Sequence, residues 1–443
     1  EILIGLVGSE MCIRDRSLAM VATLFAGCGS SSEKKESSAK DETVKIQFMH
    51  MQVEQERQDV LSEVIKKFEK ENPNIKVEQM PVGEDDYDSK ITTLGGNGEL
   101  PAVIEFSQDQ AKTSVKNQFI NTQAADDVIA SVGEDAYFDG ALKVIKTEDG
   151  KDYVGVPVSG WVQGIWCNTK MLKEKGFDLP QNWDDVIKIA KAFYNPSKKQ
   201  YGIALPTSDS AFTEQVFSQF ALSNGANAFD ENGNITIDTD KMKEAAEFYK
   251  ELSQYSMPGS TEVADVKDAF VGKNTPMCMY STYILGGCKD AGFLEDVQLA
   301  VPTKTTSAAY GCIEVLSISN TISDAETEAA KKFVSFLMEK ENNEAWLEMA
   351  PGGVQPVLSA VADDPAYADN ELIKPYAHLL DNVGTAFDNL QLFGSVNGKN
   401  FMAMGDITNS GVLSKALNNI LVQKADISKE LKNAQSEAEK LAK

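Results

Sequence analysis

Residues 44–77 read VKIQFMHMQVEQERQDVLSEVIKKFEKENPNIKV and predict the start of an α/β fold. Apolar and polar residues alternate over 44–48, as they do in a strand. Apolar residues then recur with helical spacing over 60–68, and Asn72-Pro73 is a typical helix end. A second strand follows at 75–77. The stretch therefore predicts a strand–helix–strand unit.

The same alternation of elements continues along the chain. A helix that carries Tyr87, Ile91 and Leu94 precedes a strand over 103–106. This strand has apolar residues on both sides of it, as is typical of a buried parallel strand. A β-α-β-α-β order predicts a parallel sheet covered by helices. Further on, 161–167 has a strand pattern, and Asn182 is placed to cap an amphipathic helix.

Length and charge limit the class of protein. A chain of 443 residues is too long for one compact core, so we expect two lobes. The formal net charge is −25, which argues against a nucleic-acid partner and against dependence on an anionic membrane surface. Only two histidines occur, so His-based catalysis and a His-rich metal site are disfavoured.

The amino-terminal region has the composition of an export signal. Arg14 and Arg16 precede an uncharged apolar stretch at 17–27, which ends in small residues before Cys28. We predict a signal peptide over 1–27 and a flexible tether over 29–42, rich in Ser, Lys and Glu. Residues 1–16 lack an initiating Met and carry acidic residues, so we interpret them as an assembly artefact over the true start.

Five stretches, taken together, resemble bacterial extracellular solute-binding protein family 1, which serves ATP-driven importers. The resemblance is closest to the carbohydrate-binding branch that includes maltose-binding protein, and it covers nearly the whole chain after the tether. The stretches are FEKENPNIKV (68–77), LPAVIEFSQDQ (100–110), VPVSGWVQGIWCNTKML (156–172), LPQNWDDV (179–186) and FVSFLMEKENNEAW (333–346). The start of the chain also resembles a lipoprotein signal, with Cys28 as the lipidated residue, although Phe25 stands where Leu is usual. A plain cleaved signal peptide is the alternative.

The resemblance implies a two-lobed periplasmic-binding-protein (venus flytrap) fold. Each lobe would hold a mostly parallel sheet flanked by helices, with a ligand cleft between the lobes. Lobe 1 would combine 43–158 with 298–351, and lobe 2 would combine 160–297 with 353–443. The chain would cross between lobes near Ser159-Gly160, near 291–297 and near Gly352-Gly353.

The ligand site would lie beyond the carboxyl ends of the strands, where aromatic faces stack on a sugar ring and planar polar groups take its hydroxyls. The resemblance places the stacking residues at Phe106 and Tyr283, a further cleft residue at Trp161, and a hydroxyl-binding acid at Asp109 beside Gln110. Placement alone adds five candidates, which are Gln52, Glu54, Gln163, Tyr310 and Gln355. Other roles stay open for three of these residues: Phe106 as core, Asp109 as a helix cap, and Glu54 as a charge at a helix start.

The function implied is that of a lipid-anchored receptor without catalytic residues, cofactor or metal. It would sit on the outer face of the cytoplasmic membrane and act as a monomer. There it would capture a carbohydrate, expected to be an oligosaccharide, and deliver it to the permease subunits of an ABC importer by hinge closure. The alternatives are a secreted glycoside-active enzyme and the same fold binding a peptide or polyamine. Cys278 and Cys288 either form a disulfide or remain thiols.

Overall fold

The computed structural model describes residues 43–442, and its central feature is a seven-stranded sheet. The strands of this sheet are β1 (Val44–His50), β2 (Ile75–Pro81), β3 (Val103–Ser107), β4 (Val156–Asn168), β5 (Met277–Ser281), β6 (Val297–Ala300) and β7 (Tyr310–Ile318). A separate two-stranded hairpin is formed by β8 (Ser395–Val396) and β9 (Lys399–Asn400).

Helices surround the sheet. Those in the first half of the chain are α1 (Gln55–Glu71), α2 (Glu84–Asn97), α3 (Gln108–Lys116), α4 (Thr122–Val132), α5 (Asp139–Val144), α6 (Thr169–Glu174), α7 (Trp183–Phe193) and α8 (Ala211–Ser223). Those in the second half are α9 (Asp240–Ser253), α10 (Val263–Val271), α11 (Ile284–Asp290), α12 (Asp324–Leu337), α13 (Lys340–Leu347), α14 (Ser359–Ala362), α15 (Pro365–Asp369), α16 (Leu380–Asp388), α17 (Ala403–Asn409), α18 (Val412–Leu421) and α19 (Ile427–Leu441). Short 3₁₀ helices lie at Glu134–Ala136, Pro196–Lys198, Leu294–Asp296 and Lys374–Leu379.

The sheet is mixed. Its order is β2-β1-β3-β7-β4-β5, with β6 also paired to β4. The pairs β1–β2 and β1–β3 are parallel, as the strand–helix–strand pattern predicts. The pairs that involve β4 and β7 are all antiparallel. The expectation of a mostly parallel sheet in each lobe therefore holds for β2-β1-β3, whereas the rest of the sheet is antiparallel and continuous with it.

Strand β4 connects the two halves of the sheet. Its first part pairs with β7 from Val156 to Gln163, and its last part pairs with β5 and β6 from Gln163 to Asn168. A register shift between Pro157 and Ser159 interrupts the pairing with β7. Such an irregularity bends a strand and increases its twist. One long strand thus contributes to the packing of both halves.

The buried apolar residues form two cores. One core contains the apolar residues of β1 and β3 and those of α1, α4 and α12 that pack on them. The other core lies among α7, α8, α9, α18 and α19 and includes the carboxyl-terminal residues of β4. Two cores served by one sheet agree with the length argument, since large chains divide their apolar interior.

Local sequence signals account for several helices. The buried residues of α1 are Leu61, Val64, Ile65 and Phe68, and Asn72 follows at its end as expected. In α7, Oδ1 of Asn182 accepts a hydrogen bond from the amide of Asp185 at 3.0 Å, so the predicted cap is confirmed.

The segment that follows residue 353 contacts elements from the first part of the chain. Helix α16 packs against α5, and the rings of Phe138 and Phe387 stack at 6.1 Å between centroids. Residue 353 onward was assigned to lobe 2, so these contacts join that segment to residues assigned to lobe 1. The lobe boundaries stay a prediction.

Two groups of predictions have different outcomes here. The signal peptide, the lipidated Cys28 and the tether lie outside the described residues. Cys167, Cys278, Cys288 and Cys312 are all free thiols, so the structure contains the second of the two alternatives for Cys278 and Cys288. Within 43–442, no helix has the length and apolar character needed to cross a bilayer.

Candidate functional site

One face of the β4–β7 pair is lined with polar and aromatic side chains. Residues directly opposite in an antiparallel pair share a face. The opposite pairs here are Ser159 with Glu314, Trp161 with Cys312, and Gln163 with Tyr310. We call these six residues the polar face. It lies at the centre of the sheet, where β4 passes from one half to the other.

Two aromatic rings meet on the polar face. The rings of Trp161 and Tyr310 lie 5.9 Å apart between centroids, with an angle of 41° between their planes. Both side chains are half-buried, so part of each ring faces solvent. Trp166 lies five residues further along β4 and therefore points to the other side of the sheet. It is fully buried, and its indole Nε1 donates to the carbonyl of Tyr280 at 2.8 Å.

Tyr283 is among the exposed large hydrophobic residues and has 45 % of its surface exposed. It lies directly before α11, shortly after β5 ends. Its ring packs so closely on Gly353 that a Cβ there would stand 2.8 Å from the ring. The adjacent Thr282 hydroxyl donates to the carbonyl of Gly353. Tyr283 is thus an accessible ring held against the 352–353 segment.

Two carboxyl groups lie close together in the sheet: that of Glu314, within the polar face, and that of Glu105 on β3. Oε2 of Glu105 accepts from the amide of Met51 at 2.8 Å, and Oε1 accepts from Nε2 of Gln52 at 2.9 Å. Oε2 of Glu314 accepts from the hydroxyl of Ser159, which in turn accepts from the indole of Trp346 at 3.0 Å. Each group is held by hydrogen bonds to fixed donors.

Burial is the main cause of the pKa shifts of this acidic pair. Burial and, to a smaller extent, the charge of Glu314 raise the pKa of Glu105 to about 8, against the hydrogen bonds from Met51 and Gln52 and the charge of Arg57, which lower it. Burial also raises the pKa of Glu314, against the hydrogen bond from Ser159 and the charge of Arg57. Two carboxyl groups that interact in this way hold a proton at neutral pH.

Arg57 connects two of the predicted site residues. Its Nη1 donates to Oε1 of Gln52 at 3.1 Å and lies 3.5 Å from Oε2 of Glu54. Gln52 is therefore bound on both ends, by Arg57 and by Glu105. Glu54 stands at the N-cap position of α1 without a capping hydrogen bond from its side chain, and it is 56 % exposed. The structure brings Gln52 to the acidic pair and leaves Glu54 at the surface.

A cavity of about 380 Å³ lies next to Tyr310. Helix α3 lines one side, and α8 with parts of the 392–409 segment lines the other. Nζ of Lys116 on α3 and Oδ2 of Asp406 on α17 form an ion pair at 3.2 Å between these sides. We call this space the α3–α8 cavity. Among the predicted residues, Asp109, Gln110 and Tyr310 line it.

The two α3 residues differ in how much of their side chains is available. The carboxylate of Asp109 is 63 % exposed and lies 3.5 Å from Nζ of Lys112. Gln110 completes a capping box: its Oε1 accepts from the amide of Ser107 at 2.9 Å, and Nε2 donates to Asp88 at 2.7 Å. Gln110 therefore stabilises the start of α3, while Asp109 stays open to solvent.

Two buried polar atoms next to Tyr310 have no hydrogen-bond partner among the described residues. One is Nε2 of Gln163, which lies opposite Tyr310 in the sheet and is 1 % exposed. The other is Oε2 of Glu214, a residue of α8 that lines the α3–α8 cavity and is 5 % exposed. Buried polar atoms are normally paired, so an unpaired one at a cavity is a candidate ligand contact.

Two predicted residues lie elsewhere. Phe106 is fully buried opposite Val315, because side chains alternate along β3 and Glu105 and Ser107 take the other side. The structure thus places Phe106 in the core and not at the surface of the cleft. Gln355 is 4 % exposed; its amide donates to the carbonyl of Gly160 at 2.8 Å, and its Nε2 donates to that of Gly352 at 2.8 Å. The side chain of Gln355 is therefore engaged with the backbone of its own segment.

Sequence reasoning missed Arg57, Glu105, Glu314 and Glu214. Signals for three of them were present. Arg57 is the only arginine after Arg16, and Glu105 interrupts an otherwise apolar strand. Glu214 lies in a helix whose other residues are mostly apolar or small. A charged residue in such a position is rarely buried without a partner, which makes it a candidate for function.

Comparison with known proteins establishes the family. The model of the family described as bacterial extracellular solute-binding protein matches residues 63–375. The ABC transporter periplasmic-binding protein YcjN of Escherichia coli K12 is 44 % identical over 426 residues, which is 96 % of this chain and 99 % of that protein. The chain belongs to the bacterial extracellular solute-binding proteins.

More distant relatives extend the comparison. The multiple sugar-binding protein of Streptococcus mutans is 26 % identical over 214 residues, which is 46 % of this chain and 45 % of that protein. The structure of maltose-bound MalE3 of T. maritima superposes with a TM-score of 0.70 at 20 % identity, covering 90 % of this chain and all of that one. The fold is thus the two-lobed fold of maltose-binding protein, as predicted.

This membership decides the class of function. The chain is a solute-binding protein of an ABC transporter, and its family acts outside the cytoplasm. Family and fold are those of proteins that bind without catalysis, so the carboxyl groups described above serve binding or structure.

Proposed function

We propose that this solute-binding protein captures a carbohydrate, expected to be an oligosaccharide, between its lobes and passes it to the permease subunits of its importer. The observation that carries the proposal is the pair of half-buried rings of Trp161 and Tyr310 at the centre of the polar face. Tyr310 lines the α3–α8 cavity, whose volume of about 380 Å³ is within the range of small-molecule sites, and Trp161 packs against Tyr310.

The chemistry of the surroundings suits a sugar. A pyranose ring has an apolar C–H face, which stacks on an aromatic ring, and an edge of hydroxyl groups, which need acceptors and donors. Trp161 and Tyr310 offer the rings. Asp109 and Glu214 offer acceptors on two sides of the cavity, and Gln163 offers a donor. One relative is a multiple sugar-binding protein, and the similar structure of MalE3 has maltose bound. Both support a carbohydrate as the ligand class proposed here.

Hinge closure is the second part of the proposal. At Gly160, where the chain would cross between the lobes, the packing leaves no room for a side chain, since a Cβ there would stand 2.7 Å from the carbonyl oxygen of Cys312. Gly352 has a φ of 78°, a conformation that glycine adopts without strain. Glycines at both crossings permit the dihedral changes of a hinge. The predicted lobes, 43–158 with 298–351 and 160–297 with 353–443, would then move about these crossings.

Attachment to the membrane is the third part. We propose that the thiol of Cys28 carries a lipid and that residues 29–42 form the tether to the folded part. The support comes from the sequence, in which a short apolar stretch and small residues precede Cys28. The protein would then act on the outer face of the cytoplasmic membrane.

A thermal-shift screen against mono- and oligosaccharides tests the ligand class. A ligand that binds only the native state raises the melting temperature. We expect at least one oligosaccharide to raise it, with the sugar recovered unchanged after incubation. Release of a cleaved product would favour a glycoside-active enzyme instead. Stabilisation by a peptide or a polyamine, and by none of the sugars, would contradict the carbohydrate assignment.

A further inference from the structure

Glu214 is a carboxyl group in an unusual place. It lies in the first turn of α8, a helix that is buried along nearly its whole length. Oε1 accepts a hydrogen bond from the hydroxyl of Thr408 at 2.5 Å. Oε2 has no partner among residues 43–442, although the residue is 5 % exposed and lines the α3–α8 cavity. Leaving a buried acceptor without a hydrogen bond costs free energy, so we expect a donor from another molecule to bind Oε2.

The neighbouring cations are engaged with other acids. Nζ of Lys112 lies 3.5 Å from Asp109, and Nζ of Lys116 lies 3.2 Å from Asp406. No Lys or Arg forms an ion pair with Glu214 within the described part of the chain. The charge that acts on the pKa of Glu214 is that of Asp109, which has the same sign and raises it. The surroundings therefore favour a donor from outside the protein.

We propose that Glu214 is a specificity-determining residue of the ligand site: Oε2 accepts a hydrogen bond from a hydroxyl or amino group of the ligand, and the carboxyl group loses its proton when the ligand binds. This inference rests on the proposed function. It specifies that Glu214 contacts the ligand in the α3–α8 cavity, and it makes the affinity for the ligand depend on pH.

The direction of the pH effect follows from the state of Glu214 before binding. Burial is the main cause that raises its pKa to about 7; the hydrogen bond from Thr408 acts against this rise, and the charge of Asp109 contributes to it. Below pH 7 the carboxyl group therefore holds a proton. A donor on Oε2 favours the ionised form and lowers the pKa in the complex. Binding must then release the proton, so affinity falls as the pH falls.

Other titratable groups face the same region. Those that line the α3–α8 cavity are Asp88, Asp109, Lys112, Lys116, Tyr310 and Asp406. The ring of Tyr249, whose hydroxyl donates to the carbonyl of Pro206, packs against Phe217 of α8. Asp209 lies shortly before α8 and accepts from the hydroxyl of Ser414. Glu105, with its pKa of about 8, titrates in the same pH range beside the polar face. The test must therefore separate Glu214 from these groups.

The experiment measures dissociation constants at pH 6 and pH 8 for maltose, maltotriose, trehalose and the diamino disaccharide of glucosamine. With a pKa of about 7, wild-type protein should bind the preferred sugar about tenfold more weakly at pH 6. Glu214→Gln should lose most of this ratio. Glu247→Gln, a change at an exposed site on α9, should keep it. The neutral sugars do not titrate in this range, so a ratio that they show identifies a hydroxyl donor. The amines of the diamino sugar gain or lose a proton themselves between pH 6 and pH 8, so an amino donor is identified by a loss of affinity for that sugar alone in Glu214→Gln.

Calorimetry of the wild-type protein in two buffers of different ionisation enthalpy counts released protons directly and does not depend on a variant that folds. Close to one proton should leave at pH 6. An equal pH ratio in wild type and Glu214→Gln, no proton release, or tighter binding at pH 6 would overturn the role of Glu214 and leave the carbohydrate assignment standing. If none of the sugars binds wild type, both proposals fall.

Discussion

Trp161 is the residue on which the proposed stacking of a sugar depends most directly. Its ring is half-buried on the polar face beside Tyr310, so it presents a surface to a ligand without being needed to fill the core. We expect Trp161→Ala to weaken sugar binding by about tenfold or more, which corresponds to about 1.4 kcal/mol. The melting temperature of the unliganded protein should change little.

Trp161→Phe is the matched control, since it keeps an aromatic face at this position. Titration calorimetry with the best sugar of the thermal-shift screen measures both variants. Partial recovery of affinity in Trp161→Phe supports stacking. Equal affinity in wild type and Trp161→Ala, at unchanged melting temperature, would place the ligand away from this ring.

The acidic pair gives a prediction for stability. The folded protein raises the pKa of Glu105 to about 8 and so favours its protonated form. The stability that this proton provides is present below the pKa of the unfolded chain and is lost as pH rises through about 8. Glu105→Gln removes this titration. The melting temperature of Glu105→Gln minus that of wild type should therefore increase as the pH rises from 5 to 9.

Thermal unfolding at pH 5, 7 and 9 measures this difference. Glu251→Gln, an exposed change on α9, is the control and should follow wild type at each pH. A constant difference between Glu105→Gln and wild type over this range would show that Glu105 is ionised throughout.

For single residues, the sequence indicates which residue types could serve a binding site, but it does not show how buried each one is or what it contacts. The resemblance to the solute-binding family made Trp161 and Tyr283 candidates, and Gln52 became one because it follows a predicted strand. Phe106 and Ser107 differ by one position, yet one is core and the other begins α3, and only the strand's orientation decides which. The isolation of Glu214 depends on Lys112 and Lys116 pairing with other acids, which requires the folded arrangement.

The start of α3 links local structure to the site at the scale of elements. The hydroxyl of Ser107 accepts from the amide of Gln110, and Oε1 of Gln110 accepts from the amide of Ser107. Ser107→Ala should lower the free energy of unfolding by about 1 kcal/mol. Because α3 forms one side of the α3–α8 cavity, the same change should also weaken sugar binding.

Ser323→Ala is the matched control for this helix. Ser323 begins α12 with the same capping box, formed with Glu326, and α12 packs on β1 and α4 away from the cavity. Denaturant unfolding should show a similar loss of stability in both variants, and calorimetry should show a loss of affinity only in Ser107→Ala. Unchanged affinity in Ser107→Ala would separate α3 from the ligand site.

Elements were predictable where the signal is local. The periodic apolar residues of α1 and the cap of α7 lie within a few residues of each other, so composition and spacing reveal them. The pairing of Ser159 with Glu314 joins residues 155 apart in the chain. No local pattern encodes that partner, and the antiparallel junction of β4 with β7 was therefore not foreseen.

Anchoring belongs to the scale of the whole molecule. If the thiol of Cys28 carries the lipid, Cys28→Ala should release the protein from membranes, because hydrophobic anchoring scales with the number of buried CH₂ groups. Fractionation after a high-salt wash measures this. Cys312→Ala, which alters a thiol of the folded part, is the control and should stay with the membrane. Sedimentation of Cys28→Ala with membranes would contradict the lipoprotein assignment.

Closure around a ligand is the central claim for the whole molecule. Closing without sugar would bury Trp161, Tyr283 and Asp109 and leave polar groups unsatisfied, which costs free energy. In the proposed mechanism a sugar supplies the missing contacts only in the closed state and so shifts the population toward it. The hinge at Gly160 and Gly352 would carry this motion.

Small-angle X-ray scattering of the protein with and without the preferred sugar of the screen tests this account most directly. Both samples should be measured at the same protein concentration, with calorimetry on the same preparation to confirm saturation. The radius of gyration should be smaller when the sugar is bound. An unchanged scattering curve with a saturating, tightly bound sugar would contradict the closing hinge.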